Sequence, residues 1–145
     1  MKLSIFVLSI FILTLIFILT FNSASKAPTA EINGHSFSLH LARTSQEQEI
    51  GLSKYNQLDK DKGMLFIFPR KDYLAFWMKG MKFPIDIIFI QGDRIVYIFQ
   101  NVPVATDSAL PTYTAKKQAD KVLEINAGLV KEYGIKIGDR VKINL

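Results

Sequence analysis

Four short apolar runs fill the middle of this chain: Met64 to Phe68, Tyr73 to Met78, Ile85 to Ile90 and Arg94 to Phe99. Each is 5–6 residues long, and Pro69, Gly80 with Pro84, and Gln91-Gly92-Asp93 separate them. Runs this short, rich in branched and aromatic residues and bounded by turn formers, read as strands rather than helices. Their apolar residues are consecutive rather than alternate, so both faces of the strands must be covered. The expected fold is therefore mainly β: a compact single-domain sandwich or barrel-like fold.

The flanking sequence supplies the connections. Ala30 to Ile32 and His35 to Ala42 flank Asn33-Gly34, a pair that accepts the positive φ angles of a two-residue hairpin turn. Phe37, Leu39 and Leu41 alternate with polar residues, as in a strand with one buried face. Thr44 and Glu47 form a capping-box pattern for a short helix ending near Gly51. The stretch from Asn101 to Asp120, with two prolines, reads as a long loop. Lys121 to Ile125 is a further strand, and Asn126 is placed to cap a helical turn running through Tyr133 and closed by Gly134. Gly138-Asp139 then turns into a last strand, Arg140 to Asn144. One or two short helices thus accompany the sheet.

Leu3 to Phe21 carries no charge and no proline. Nineteen such residues reach about 28 Å as a helix, close to the hydrocarbon thickness of a bilayer. Residues 1–25 therefore read as an uncleaved signal anchor, or as a signal peptide cleaved near Ser25; 26–29 form a linker and 30–145 the β domain. With Lys2 and the terminal amine on the cytoplasmic flank, either reading places the domain outside the cytoplasm: on the membrane through residues 3–21, or secreted. The chain has a formal charge of +5, but its basic residues are scattered among acids and apolar residues. Scattered charge suits a solvated face, and export removes nucleic acid as the expected partner. With no cysteine, thiolate metal sites, disulfides and a cysteine nucleophile are excluded.

Little else in the chain suggests chemistry. His35 and His40 are five apart on one strand and face opposite ways, so they cannot share a metal. The methionines sit among core residues, so no metal and no cofactor is expected. There is no nucleophile elbow and no phosphate-cradling glycine run. Four residues lack a purely local explanation: Trp77, Lys79, Asp86 and Glu124. Asp86 lies in Pro-Ile-Asp-Ile-Ile and Glu124 in Val-Leu-Glu-Ile, and an ionised group there needs a partner, water or a ligand. Lys79 is placed to pair with Asp86, and Arg43 or backbone N–H groups to satisfy Glu124. Alternatively the two carboxylates are a candidate acid/base pair of a hydrolase. Trp77 with Lys79 offers an aromatic platform beside a cation, suited to sugars or anions.

Six motifs occur in order: Thr-x-x-Glu-x-x-x-Gly-Leu from Thr44, Gly-Met-Leu-Phe-x-Phe from Gly63, Phe-Trp-Met-Lys from Phe76, Pro-x-Asp-x-x-Phe-Ile from Pro84, Val-Leu-Glu from Val122 and Gly-Ile-x-x-Gly-Asp-x-Val from Gly134. Together they resemble the domain of unknown function 192 family over roughly residues 30–144. The resemblance implies a compact β domain, often exported or membrane-attached, with no agreed activity. This chain departs from the family pattern at Gly80, where an asparagine is usual, and at Ser53, where a methionine is usual. The expected function is ligand binding near Trp77 and Lys79, with Asp86 and Glu124 as further site residues. The ligand expected is a cell-envelope polymer, a glycan or another small anion. The alternatives are an envelope hydrolase using Asp86 or Glu124, and a structural or interaction partner in a membrane complex.

Overall fold

The computed structural model describes residues 27–105 and 110–145. The expected N-terminal hydrophobic helix lies outside the described residues. Among the described residues, no helix is long and apolar enough to cross a membrane.

Half of the described residues are strand. The strands are β1 (Thr29–Ile32), β2 (His35–Ala42), β3 (Lys62–Asp72), β4 (Ala75–Trp77), β5 (Ile85–Gln91), β6 (Arg94–Val102), β7 (Thr112–Thr114), β8 (Ala119–Asn126) and β9 (Lys142–Asn144). Helix α1 is Ser45–Ile50, followed by a 3-10 turn at Gly51–Lys54, and α2 is Leu129–Glu132. Seven strands form one sheet in the order β6-β5-β8-β3-β2-β1-β9, while β4 and β7 pair separately. The large sheet curls into a half-barrel whose ends meet where Arg94 bridges Arg140. There the Ile95 N–H donates to the Asp139 carbonyl (3.0 Å) and the Gly138 N–H to the Ile95 carbonyl (2.8 Å).

The first hairpin forms as expected, with φ of 50° at Asn33 and 81° at Gly34. β2 and β3 pair in parallel. A parallel neighbour needs a crossover, and α1 with its 3-10 turn supplies it.

Each face of the sheet has its own core. Alternate residues of the central strands divide between them: Leu65, Ile88, Ile90, Leu123 and Ile125 face one cluster with α2. Met64, Phe66, Ile87, Phe89 and Val122 face the other, beneath the 3-10 turn and β4. That two-sided burial explains the consecutive apolar residues of β3, β5 and β8.

Three of the differences from the sequence reading bear on how the sheet is built. β3 continues through Pro69 to Asp72, accommodating the missing N–H where the register against β8 shifts between Ile67 and Asp72. The apolar run from Tyr73 contributes only β4, which leaves the main sheet to pair with β7, itself inside the segment read as loop. Asn126 does not cap α2. It ends β8, and its amide donates to the carbonyls of Leu58 (2.9 Å) and Asp59 (3.2 Å). The cap position is Gly128, at φ 89°.

Candidate functional site

The capping box is complete. The Thr44 hydroxyl accepts from the Glu47 N–H, and the Glu47 carboxylate accepts from the N–H groups of Thr44 (2.9 Å) and Arg43 (2.8 Å). These bonds hold the Glu47 carboxyl below the usual range, the Thr44 backbone bond contributing most. With its start fixed, α1 is tied to the sheet by the Gln48 amide, which donates to the Ile67 carbonyl (3.0 Å). The helix ends at Gly51, whose φ of 50° and ψ of −140° redirect the chain into the 3-10 turn. A side chain there would place Cβ 3.3 Å from Phe66 Cζ, so the conformation favours glycine and any larger residue would also press on the Phe66 ring.

This arrangement leaves a cavity of ≈ 260 Å³ between α1, the 3-10 turn, β3 and β4. Phe66, Phe68, Phe76 and Met81 form its apolar wall. Phe76 is locked there by edge-on contacts with Phe66 (5.0 Å between centroids) and Phe89 (5.8 Å). Trp77, 48% exposed, and Lys79 stand at the mouth, with Glu49 and Ser53 also on the lining. The Lys79 Nζ lies 5.5 Å from the centre of the Trp77 ring, within cation–π range.

Glu124 reaches the same cavity from β8. Its cross-strand neighbours are Met64 on β3 and Ile87 on β5, both buried. The residue is only 5% exposed, and burial pushes its carboxyl up to about 8. Desolvation penalises the charged form, so the group is predominantly a neutral acid at pH 7. The side-chain pair expected for it, with Arg43, does not form. Arg43 makes no ion pair with Glu124 and instead contributes its backbone N–H to Glu47.

Asp86 belongs elsewhere. It pairs with Ile125 across the β5–β8 ladder, whereas Glu124 pairs with Ile87, so the two carboxylates point to opposite faces of the sheet. The fully buried Asp86 carboxylate accepts from the N–H groups of Asn101 (2.7 Å) and Val130 (2.8 Å). It thereby serves the first turn of α2, for which Gly128 has no side chain to offer, and holds Asn101 at φ 52°. Lys79 is exposed at the cavity mouth and is not its partner; the expected ion pair is replaced by two backbone donors. The geometry thus joins Trp77, Lys79 and Glu124 around one cavity and separates Asp86 from them. A shared acid/base role for Asp86 and Glu124 is incompatible with an intervening sheet.

Gln48, Glu49, Ser53 and Met81 were not legible as site residues. The Thr44 and Gly51 signals placed a helix, but not the strand against which it would lie. The two departures from the family pattern meet here: a Cβ at Gly80 would lie 3.4 Å from Ser53 Cβ, beside the mouth. His35 and His40 stay apart, stacking on Tyr133 and Tyr55 respectively. Among the described residues, no three His, Cys, Asp or Glu side chains gather as a metal site.

A half-barrel with this cavity defines a small β domain of one family. The model of the family described as Uncharacterized ACR, domain of unknown function 192, matches residues 28–143, and the chain belongs to that family. It is similar to a protein of unknown function from Novosphingobium aromaticivorans, with 36% identity, 83% of this chain and 89% of that one covered, and a TM-score of 0.71. It is also similar to a protein from Sinorhizobium meliloti described as a "putative transcription regulator", with 31% identity, 84% and 98% covered, and a TM-score of 0.71. No curated protein matches.

Proposed function

We propose that this domain is a binding module that takes a ring-bearing ligand from the cell envelope, a glycan or a small anionic piece of envelope polymer, into the cavity beside Trp77. Residues 3–21 tether it to the membrane and hold it outside the cytoplasm. The observation carrying this reading is a half-exposed tryptophan with a lysine over its ring, at the mouth of a cavity that ends in an unpaired acid. Aromatic surface contributes contact with ring carbons, while the cation attracts an anionic substituent. Glu124 strengthens the reading. A buried carboxyl without a charged partner lowers stability, and such costs concentrate at functional positions.

Trp77 is the single tryptophan of the chain, so its emission reports directly on the mouth. Titrating the full chain with solubilised envelope polymer should shift that emission saturably, and calorimetry with Trp77→Ala should show binding weaker by roughly fivefold or more, since removal of a stacking aromatic typically costs about 1–3 kcal/mol. Absence of any saturable signal, or a silent Trp77→Ala that remains folded, would remove the reading.

A second reading rests on the raised pKa of Glu124. A neutral acid facing a cavity at pH 7 suits protonation of a leaving oxygen, which would make the module a hydrolase of envelope material. Release of soluble fragments from a cell-wall preparation, lost in Glu124→Gln, would support it. Turnover unchanged by that substitution would eliminate Glu124 as the acid.

A further inference from the structure

Resting on the cavity being a binding site, we infer that its ligand is a single acidic sugar unit held in one sense: the ring against Trp77, the acid outward to Lys79, and a hydroxyl inward to Glu124. Size limits the choice first. At ≈ 260 Å³ the cavity is smaller than most small-molecule sites, so it suits one sugar-sized ring rather than a stretch of polymer.

The polar groups then set the direction. Lys79 makes no ion pair among the described residues and is exposed, so its charge is free for an anion at the mouth. Glu124 is more than nine-tenths buried, lines the cavity and makes no hydrogen bond to another described side chain. A neutral carboxyl offers one donor and one acceptor, the complement of a hydroxyl. It would repel a second anion once ionised. The elements packed round Glu124 contribute few charges: Glu49 from α1 and Lys79 beyond β4 are the titratable groups on the cavity lining, while β3 and β5 present Met64, Phe66 and Ile87. Glu49 stands at the exposed mouth as a further acceptor for ring hydroxyls. Leu52, Phe76 and Met81 wall the space between the two ends, and the Gln48 amide and Ser53 hydroxyl on the same lining already donate to the carbonyls of Ile67 and Ile50.

The test uses the full chain and three probes: a hexuronic acid, the matched neutral hexose, and an oligosaccharide ending in the same hexuronic acid. Binding is followed by Trp77 emission and by calorimetry. At pH 7 the hexuronate should bind at least tenfold tighter than the hexose, a preference that Lys79→Met abolishes. Raising the pH from 7 to 9 should weaken wild-type hexuronate binding by roughly tenfold as Glu124 ionises, and Glu124→Gln should remove that loss. Equal binding of the free and terminal sugar fits the inference, and preference for the terminal one assigns the source as polymer ends. Equal affinity for hexose and hexuronate, a silent Lys79→Met, or a pH response preserved in Glu124→Gln overturns the inference. If those failures occur while envelope polymer still quenches Trp77, the binding site stands with a different ligand. If no probe or polymer perturbs Trp77, both fall.

Discussion

Glu124 and Asp86 look alike in the sequence, each a carboxylate inside an apolar run, and their environments give them opposite chemistry. Two backbone N–H groups hold the Asp86 carboxylate, whereas Glu124 meets hydrocarbon on both neighbouring strands. Consequently their substitutions should move stability in opposite directions. Asp86→Ala leaves the buried Val130 N–H and the part-buried Asn101 N–H without their acceptor and should destabilise by about 2–4 kcal/mol in chemical denaturation, with Asp86→Asn recovering part of it. Glu124 is ionised in the unfolded chain above its ordinary pKa of 4.5 but becomes ionised in the native state only near 8. The native state therefore binds an extra proton across that window, and stability falls as pH rises from about 4.5 to 8. Glu124→Gln should flatten that dependence, leaving stability similar near pH 4 and raising it at pH 9 by an amount on the order of 4 kcal/mol. Urea midpoints of both proteins at several pH values check the sign, and parallel curves would refute this account. Both carboxylates were recognisable as needing an explanation. Which face each occupied was not, because it depends on the register of β5 against β8, a pairing of residues nearly forty positions apart.

At the scale of elements, α1 carries the mouth of the cavity, and its short length makes its two ends decisive. Six residues cannot sustain a helix by propensity, so the capping box and the Gln48 contact to β3 must hold it. Thr44→Ala should lower stability by about 1 kcal/mol. Gly51→Ala is expected to be more severe, since it combines a left-handed φ with a Cβ pressed toward Phe66. Because Phe66 is part of the cavity wall, Gly51→Ala should weaken ligand binding as well as lower the melting temperature, whereas Thr44→Ala should act mainly on melting. Equal effects of the two on binding would argue against a distinct role for Gly51. The hairpin, the capping box and β5 were legible because each is encoded within about a dozen residues. β4 and β7 were not: Tyr73 to Met78 has the composition of a core strand, yet leaves the sheet after the irregular end of β3. Local composition could not reveal that its partner would be a three-residue strand beginning directly after Pro111.

Across the whole molecule, stability and binding are divided between two parts of the fold. β3, β5 and β8 are packed on both faces, while β4 and β7 pair through only three residues each outside the main sheet. Since local opening follows buried contact, amide exchange should be slowest in β5 and β8 and much faster in β4 and β7. The mouth can then open without unfolding the half-barrel, because Trp77 lies on β4 while Glu124 lies on β8. A ligand spanning the two should slow exchange in β4 and β7 and leave β1 and β9 unchanged. That pattern is specific to the cavity: a ligand docked on the opposite face would instead protect α2 and the Asn101 bend held by Asp86. Hydrogen exchange of the free and ligand-saturated chain distinguishes them, and protection confined to α2 would move the site to the other side of the sheet.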